Sequence, residues 1–189
     1  MQLKGKRIAI TGGTGGIGKP LCNLLHQAGA ELIMLAVPEE TLPFPATCIA
    51  GDLSTATGIE SVAQALAQQH IDILISLAGI QFFGPLSQQP AGHVAATYHV
   101  NLLAPVLLAQ AVLPQMQQRK QGHIVNIGSI FASIPFAHFI TYSSAKAGLK
   151  AFSEALRREV CESGIQVTYV APRAVNTPFN NEKVRRFGE

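Results

Sequence analysis

Tryptophan is missing from this sequence, and cysteine is scarce: Cys22, Cys48 and Cys161 stand far apart and are odd in number. None forms a Cys-x-x-Cys pair, which excludes a disulfide frame or zinc ribbon and points to buried thiols in a reducing compartment. Charged residues are also few, at 13% against 48% apolar. That is the composition of a packed globule and not of a disordered tail. The net charge of +3 comes from dispersed Lys and Arg with one cluster, Lys183-Arg185-Arg186, read as a solvated helix face. With so little basic charge and no indole platform, no nucleic-acid partner is expected. The six histidines show no His-x-x-x-His spacing, so no metal is assigned. The longest apolar run, around Leu102 to Leu113, contains Pro105 and falls short of a membrane span, so no membrane partner is expected. The N-terminus, Met1 to Arg7, leads into a strand and not into a signal-peptide core. A cytoplasmic location is the expectation.

What is present is an alternation of short apolar strands with helical patterns. Strands are predicted at Arg7–Ile10, Leu32–Ala36, Thr47–Gly51, Ile71–Leu77, His123–Ile127 and Gln166–Ala171. Between them, helical periodicity runs through Leu21, Leu24 and Leu25 to a stop at Gly29, then over Ile59–Gln69 and His93–Arg119. A last helix runs from Tyr142 to about Glu162 and ends at Gly164. Ile71–Leu77 is almost wholly apolar, as a parallel strand covered on both faces should be. The length of 189 residues fits one domain, residues 1–189. The order of elements predicts an α/β chain: a Rossmann-type, doubly wound parallel sheet of about six strands between two helix layers. Its ligand crevice lies at the C-terminal ends of the strands.

The first strand ends in Thr11-Gly12-Gly13-Thr14-Gly15-Gly16-Ile17-Gly18. Strand, glycine-rich turn and helix in that order make a phosphate site, because glycines let the backbone approach a pyrophosphate and the helix N-terminus offers free N–H groups. Two registers fit, Gly13-x-Gly15-x-x-Gly18 and Thr11-Gly12-x-x-x-Gly16-x-Gly18. Pro20 is tolerable in the first helical turn, where N–H groups lack partners. An acid at the end of the second strand would bind the ribose hydroxyls of NAD, but Ala36 stands there, followed by Val37 and Pro38. No Arg stands there either, and Glu39 and Glu40 come late and begin a loop, so the choice between NAD and NADP stays open. Asp52, after the third strand, reads equally as an adenine contact or as a turn former.

Tyr142 and Lys146 fall one turn apart on a helix and so on one face. A cation beside a phenol favours the phenolate and lowers its pKa, and such a pair can move a proton to or from a carbonyl oxygen. The bland alternative is an exposed helical face. Pro105 deprives the carbonyl of Asn101 of its helical partner, which makes either a water site for a proton relay or an ordinary kink with Asn101 bonded within its own turn. Ser129 lies at the crevice edge of the fifth strand. Ile130, Phe131, Ile134, Phe136 and Phe139 after it either wall a pocket or pack the core.

Together these residues resemble the short-chain dehydrogenase/reductase family over nearly the whole chain. The resemblance selects the Thr11-Gly12-x-x-x-Gly16-x-Gly18 register and implies a catalytic tetrad of Asn101, Ser129, Tyr142 and Lys146, with Ser129 thirteen residues before Tyr142. It implies Tyr142 as acid/base at the reacting oxygen and Ser129 as a hydrogen-bonding partner of that oxygen. Lys146 would bind the nicotinamide ribose and depress the Tyr142 pKa, and Asn101 would hold the relay water. The implied contacts to NAD or NADP are Thr11, Gly12, Thr14, Gly16, Ile17, Gly18, Ala36, Asp52, Leu53, Ala78, Gly79, Tyr142, Lys146, Pro172 and Thr177. The implied function is hydride transfer between NAD(P)(H) and a hydrophobic alcohol or ketone. A homodimer or homotetramer, built through the helices from His93 and Tyr142, is implied as well.

Three features depart from that pattern. Leu77-Ala78-Gly79 replaces the usual Asn-Ala-Gly, and Arg173 replaces the usual Gly after Pro172. The sequence also stops at Glu189, before the substrate-covering helix and seventh strand that family members carry. Without these, the sixth strand is expected as an exposed edge. The alternative function is then a nucleotide-binding scaffold with little turnover.

Overall fold

The computed structural model describes residues 2–36, 43–173, 175, 177 and 179. Val37, Pro38, Glu39, Glu40 and the Lys183-Arg185-Arg186 cluster lie outside the described residues. Six strands, β1 (Arg7–Thr11), β2 (Glu31–Leu35), β3 (Thr47–Ile49), β4 (Ile73–Ser76), β5 (Gly122–Ile127) and β6 (Ile165–Val170), form one sheet in the order β3-β2-β1-β4-β5-β6. Every pair is parallel. The helices are α1 (Gly18–Gln27), α2 (Ala56–Ala67), α3 (Ala91–Tyr98), α4 (Ala104–Arg119) and α5 (Ile140–Glu159). Every predicted strand is found, and every predicted helix but one runs unbroken. β3 is two residues shorter than expected because the chain leaves the sheet at Ala50, and Gly51 packs tightly on Val62 of α2.

Alternation along β1 separates two cores. Ile8 and Ile10 point to one face with Leu32, Met34, Ile73 and Ile75, closed by Cys22 and Leu25 of α1. Ala9 points to the other with Ile33, Leu74 and Ile124, closed by Ile59, Val62 and Leu66 of α2, Leu108, Val112 and Met116 of α4 and Leu156 of α5. Each fully buried Leu or Ile stabilises by roughly 1.5–3 kcal/mol relative to exposure. The result is the doubly wound, three-layer Rossmann-type fold. β6 ends the sheet among the described strands; Gln166, Thr168 and Val170 on its second face are exposed.

The expected single helix from His93 to Arg119 is a corrected point. α3 and α4 are joined by a π-helical turn, His99–Leu103, in which the Ala104 N–H reaches back to the His99 carbonyl. Pro105, the second residue of α4, has no N–H for the Asn101 carbonyl, so the wider turn falls where the α-helical ladder must break. Taken together, Ala91–Arg119 is long and apolar enough to cross a membrane, further than the sequence run suggested. Its apolar residues Leu108, Val112 and Met116 are spent on the sheet. The cysteine expectation also changes: Cys22 is buried, but Cys48 and Cys161 are exposed, and all three are free.

β1 and β4 are neighbours although β2 and β3 intervene in sequence. The chain therefore turns to opposite sides of the sheet beyond these two strands. That is the arrangement that places a ligand crevice between them at the C-terminal edge in open parallel sheets.

Candidate active site

Thr11 closes the floor of that crevice. Its Oγ1 accepts hydrogen bonds from the backbone N–H groups of Leu77 and Ala78, both at 3.1 Å, tying the end of β1 to the end of β4. This brace stands where Leu77 supplies no polar side chain. Gly12 follows with φ +69°, and a Cβ on it would fall 2.8 Å from the backbone N and Cα of Ala78. Only glycine combines that conformation with that approach. Gly18 opens α1 with its Cα against the Gly12 carbonyl and the Gly13 backbone. No side chain caps α1, and its first turn holds no acid. The exposed turn Gly15-Gly16-Ile17 thus leads to helix N–H groups open to an anion. Gly18→Ala is expected to destabilise the chain by about 1–3 kcal/mol, because its Cβ overlaps backbone that cannot turn aside. It should also abolish nucleotide binding, read by thermal unfolding and titration calorimetry.

Ala36 ends β2 with φ 64°, its N–H donating to the Ile49 carbonyl at 2.9 Å. Asp52 is exposed. Its Oδ1 accepts from the Ser54 N–H at 2.8 Å, and bonds from Ser54 hold its carboxyl below the usual range. This is the turn-former geometry, and it precedes Thr55, whose hydroxyl caps α2 by accepting from Gly58. Leu53 is buried behind Asp52.

The four predicted tetrad residues lie at the C-terminal edges of β4 and β5. Asn101, in the π-helical turn, is wholly buried. Its Nδ2 donates to the carbonyls of Ile80 at 2.8 Å and Thr97 at 2.9 Å. Its Oδ1 has no hydrogen-bond partner among the described residues. Asn101 therefore bonds within its own turn and also keeps a free acceptor. That oxygen and the Lys146 Nζ lie 2.9 and 3.8 Å from the point a Gly79 Cβ would occupy, so Gly79 keeps open a polar gap between them.

Lys146 is 3% and Tyr142 7% exposed, which rules out the exposed-face reading. Both belong to the face of α5 that also buries Leu149, Ser153 and Leu156. Lys146 Nζ donates to the Ile127 carbonyl at 2.9 Å, at the end of β5. The first turn of α5 is pinned by Thr141, whose Oγ1 donates to Gln89 Oε1 at 3.0 Å. Ser129 begins the loop after β5 and accepts from the Phe131 N–H at 3.1 Å.

The electrostatics correct one expectation. Burial raises the Tyr142 pKa; a hydrogen bond with Ser129 lowers it in part, and Tyr169 adds a further upward push. Lys146 does not depress it here. Its Nζ lies 5.8 Å from the Tyr142 ring centroid and is bonded to Ile127. Burial brings the Lys146 ammonium itself down to about 8. Desolvation of the phenol is the largest effect on Tyr142.

Aromatic side chains surround the phenol. Phe131 meets Tyr142 edge-on at 6.2 Å and Phe179 lies 6.0 Å away. Of the apolar set after Ser129, Phe139 is core, whereas Ile134 and Phe136 are exposed. Pro172 accepts from the Ile130 N–H at 3.2 Å, and Thr177 is half-buried. Three participants went unnoticed in the sequence: Gln89, Phe179 and Tyr169. They reach the site from distant segments, and no local spacing marks them.

A parallel sheet with a glycine turn at its switch point and a buried Tyr–Lys pair at the strand ends defines an NAD(P)-binding Rossmann-type protein. Residues 6–186 match the family model for short chain dehydrogenases. The chain belongs to that family of oxidoreductases. It is 31% identical over 202 aligned positions to mouse dehydrogenase/reductase SDR family member 7B, covering 98% of this chain but 62% of that relative. Among solved structures, the short-chain dehydrogenase from Sphingobium yanoikuyae in complex with NADPH superposes with a TM-score of 0.85 at 28% identity, over 93% of this chain and 74% of that one. The bulky-bulky ketone specific alcohol dehydrogenase from Comamonas testosteroni gives 0.83 at 30% identity, over 90% and 73%.

Proposed function

We propose that this chain is an NADP(H)-dependent oxidoreductase that reduces the carbonyl of a hydrophobic ketone, with Tyr142 as the proton donor. The observation that carries this reading is the buried cluster of Tyr142, Lys146 and the free Asn101 Oδ1 around the gap at Gly79. The open glycine turn suits the pyrophosphate of a dinucleotide, through Thr14, Gly16, Ile17 and the first turn of α1. Lys146 and Asn101 suit the nicotinamide end. When bound, the cofactor supplies the hydride.

The rest falls to the chain. A phenol kept protonated by burial is a ready donor to a carbonyl oxygen as negative charge develops on it. Ser129 hydrogen-bonds the same oxygen and orients the carbonyl. A water between Asn101 Oδ1 and Lys146 Nζ would satisfy the orphaned oxygen and return a proton toward Tyr142. Phe131, Phe136 and Ile134 offer the substrate an apolar wall. NADP(H) is favoured because no acid stands at Ala36 to repel a 2′-phosphate, and because the Sphingobium relative holds NADPH.

Titration calorimetry with NADPH and NADH side by side should show tighter binding of NADPH, and a panel of bulky ketones should then show turnover. Preference for NADH would refute the cofactor assignment. Binding without turnover of any ketone would favour a nucleotide-binding scaffold.

A further inference from the structure

Tyr169 lies on β6, beside the corner of β5 that carries Ser129. The Ser129 backbone N–H donates to Tyr169 Oη at 3.3 Å, and Tyr169 Oη donates to the Ser129 carbonyl at 3.4 Å. One phenol thus brackets both polar backbone groups of a single residue. It has room there because residue 128 is glycine: a Cβ at that position would overlap the Tyr169 Oη and Cζ. On either side, the Gly128 N–H donates to the Val170 carbonyl at 2.7 Å and the Ile130 N–H to the Pro172 carbonyl at 3.2 Å. Main-chain carbonyls take those two amides. The amide between them is met by a side chain.

We propose that Tyr169 is a positioning residue: its phenol locks the Ser129 peptide so that the Ser129 hydroxyl is presented to Tyr142. The inference rests on the roles proposed above for Ser129 and Tyr142. Tyr169 acts through Ser129, not on the reacting atoms.

The groups facing Tyr142 are Ser129 from the β5 corner, Lys146 from its own helix and Tyr169 from β6; Glu154 of α5 faces Tyr169 in turn. Removing the Tyr169 hydroxyl therefore has two opposed consequences. Losing its ionised charge lowers the Tyr142 titration, while releasing Ser129 raises it. The Ser129 bond is the larger of the two influences, so positioning predicts a net upward shift and mere proximity a downward one.

The chain has three tyrosines and no tryptophan, so full-length protein labelled with 3-fluorotyrosine gives one fluorine resonance per tyrosine, each assigned by its Tyr→Phe variant. Tyr169→Phe keeps the ring on Gly128. In this variant the Tyr142 titration should move up, and kcat should fall on the order of tenfold, the loss of about one hydrogen bond's worth of ordering, with KM little changed. In a Ser129→Ala background the same substitution should produce no upward shift, because nothing is left to position. A Tyr142 titration that stays or moves down with Ser129 intact would overturn the proposal. A second measurement needs no variant: amide exchange of Ser129 in the wild-type chain should be protected like that of Gly128, and exchange at an open-loop rate would also overturn it. Should the wild-type chain turn over no ketone, the proposed function falls, while the fluorine titration and the exchange rate still decide the role of Tyr169.

Discussion

Tyr142→Phe is expected to lower kcat for the proposed ketone reduction by roughly 10²–10⁴-fold, the range for removing a general acid, and to leave NADPH binding close to wild type. The substitution deletes one hydroxyl and keeps the ring that packs edge-on against Phe131 and beside Phe179. The fold should survive, because the ring keeps its packing. Single-turnover oxidation of NADPH is the sharper measurement, because product release cannot mask the chemical step. A variant that keeps half of the wild-type single-turnover rate would remove Tyr142 from the role of acid.

Lys146→Met is expected to stabilise the cofactor-free chain at pH 7 and to abolish the proposed turnover. Burial lowers the Lys146 pKa from 10.5 to about 8. At about 1.4 kcal/mol per unit, that gap opposes folding by about 3 kcal/mol at neutral pH. The sign follows from proton counts. Below pH 8 the lysine is protonated in both states, and the folded chain bears the full desolvation cost. Between about 8 and 10.5 the unfolded chain binds more protons than the folded one, so stability rises with pH and the cost fades. Met removes the charge at every pH but also gives up the bond to the Ile127 carbonyl, worth about 1 kcal/mol. The net gain is about 2 kcal/mol at pH 7 and shrinks toward pH 10. Urea unfolding of both proteins at the two pH values tests this. An equal difference at both would show that Lys146 is not desolvated in the folded chain. A gain of that sign would mark Lys146 as a group that the fold would be more stable without, as functional sites commonly hold.

The order of elements, the parallel sheet and the glycine turn at its first crossover were all legible from strand and helix periodicity. Each rests on short-range chemistry: alternation of buried side chains, helix stops at glycine, a turn that only glycines allow. Tyr142 and Lys146 were legible for the same reason, since a spacing of four on a helix is a geometric statement. Asn101 was half legible. Pro105 announced a break in the helix, but not that the break would be a π-helical turn, nor that the Asn101 amide nitrogen would be tied to Ile80 and Thr97 while its oxygen stayed free.

Burial and long-range pairing lay beyond the sequence. The expected depression of the Tyr142 pKa counted only the cation one turn away. In the folded chain both groups are desolvated, which lowers the pKa of the lysine and raises that of the phenol. Two cysteines read as buried lie on the surface, because thiol chemistry says where Cys is usually found and not where this fold puts it. Thr11 was read as a cofactor contact. Its hydroxyl also joins β1 to β4, strands whose adjacency only the sheet order creates. Tyr169 could not be linked to Ser129 until β6 was laid beside β5 with Ile127 opposite Val170. The sequence by itself determined which elements form and which residues share a helix face or a turn, because those depend on neighbours a few positions apart. The tertiary structure alone decided which polar groups are dry, which acceptors go unpaired and which phenol meets which peptide, because each depends on segments that only the completed sheet brings together.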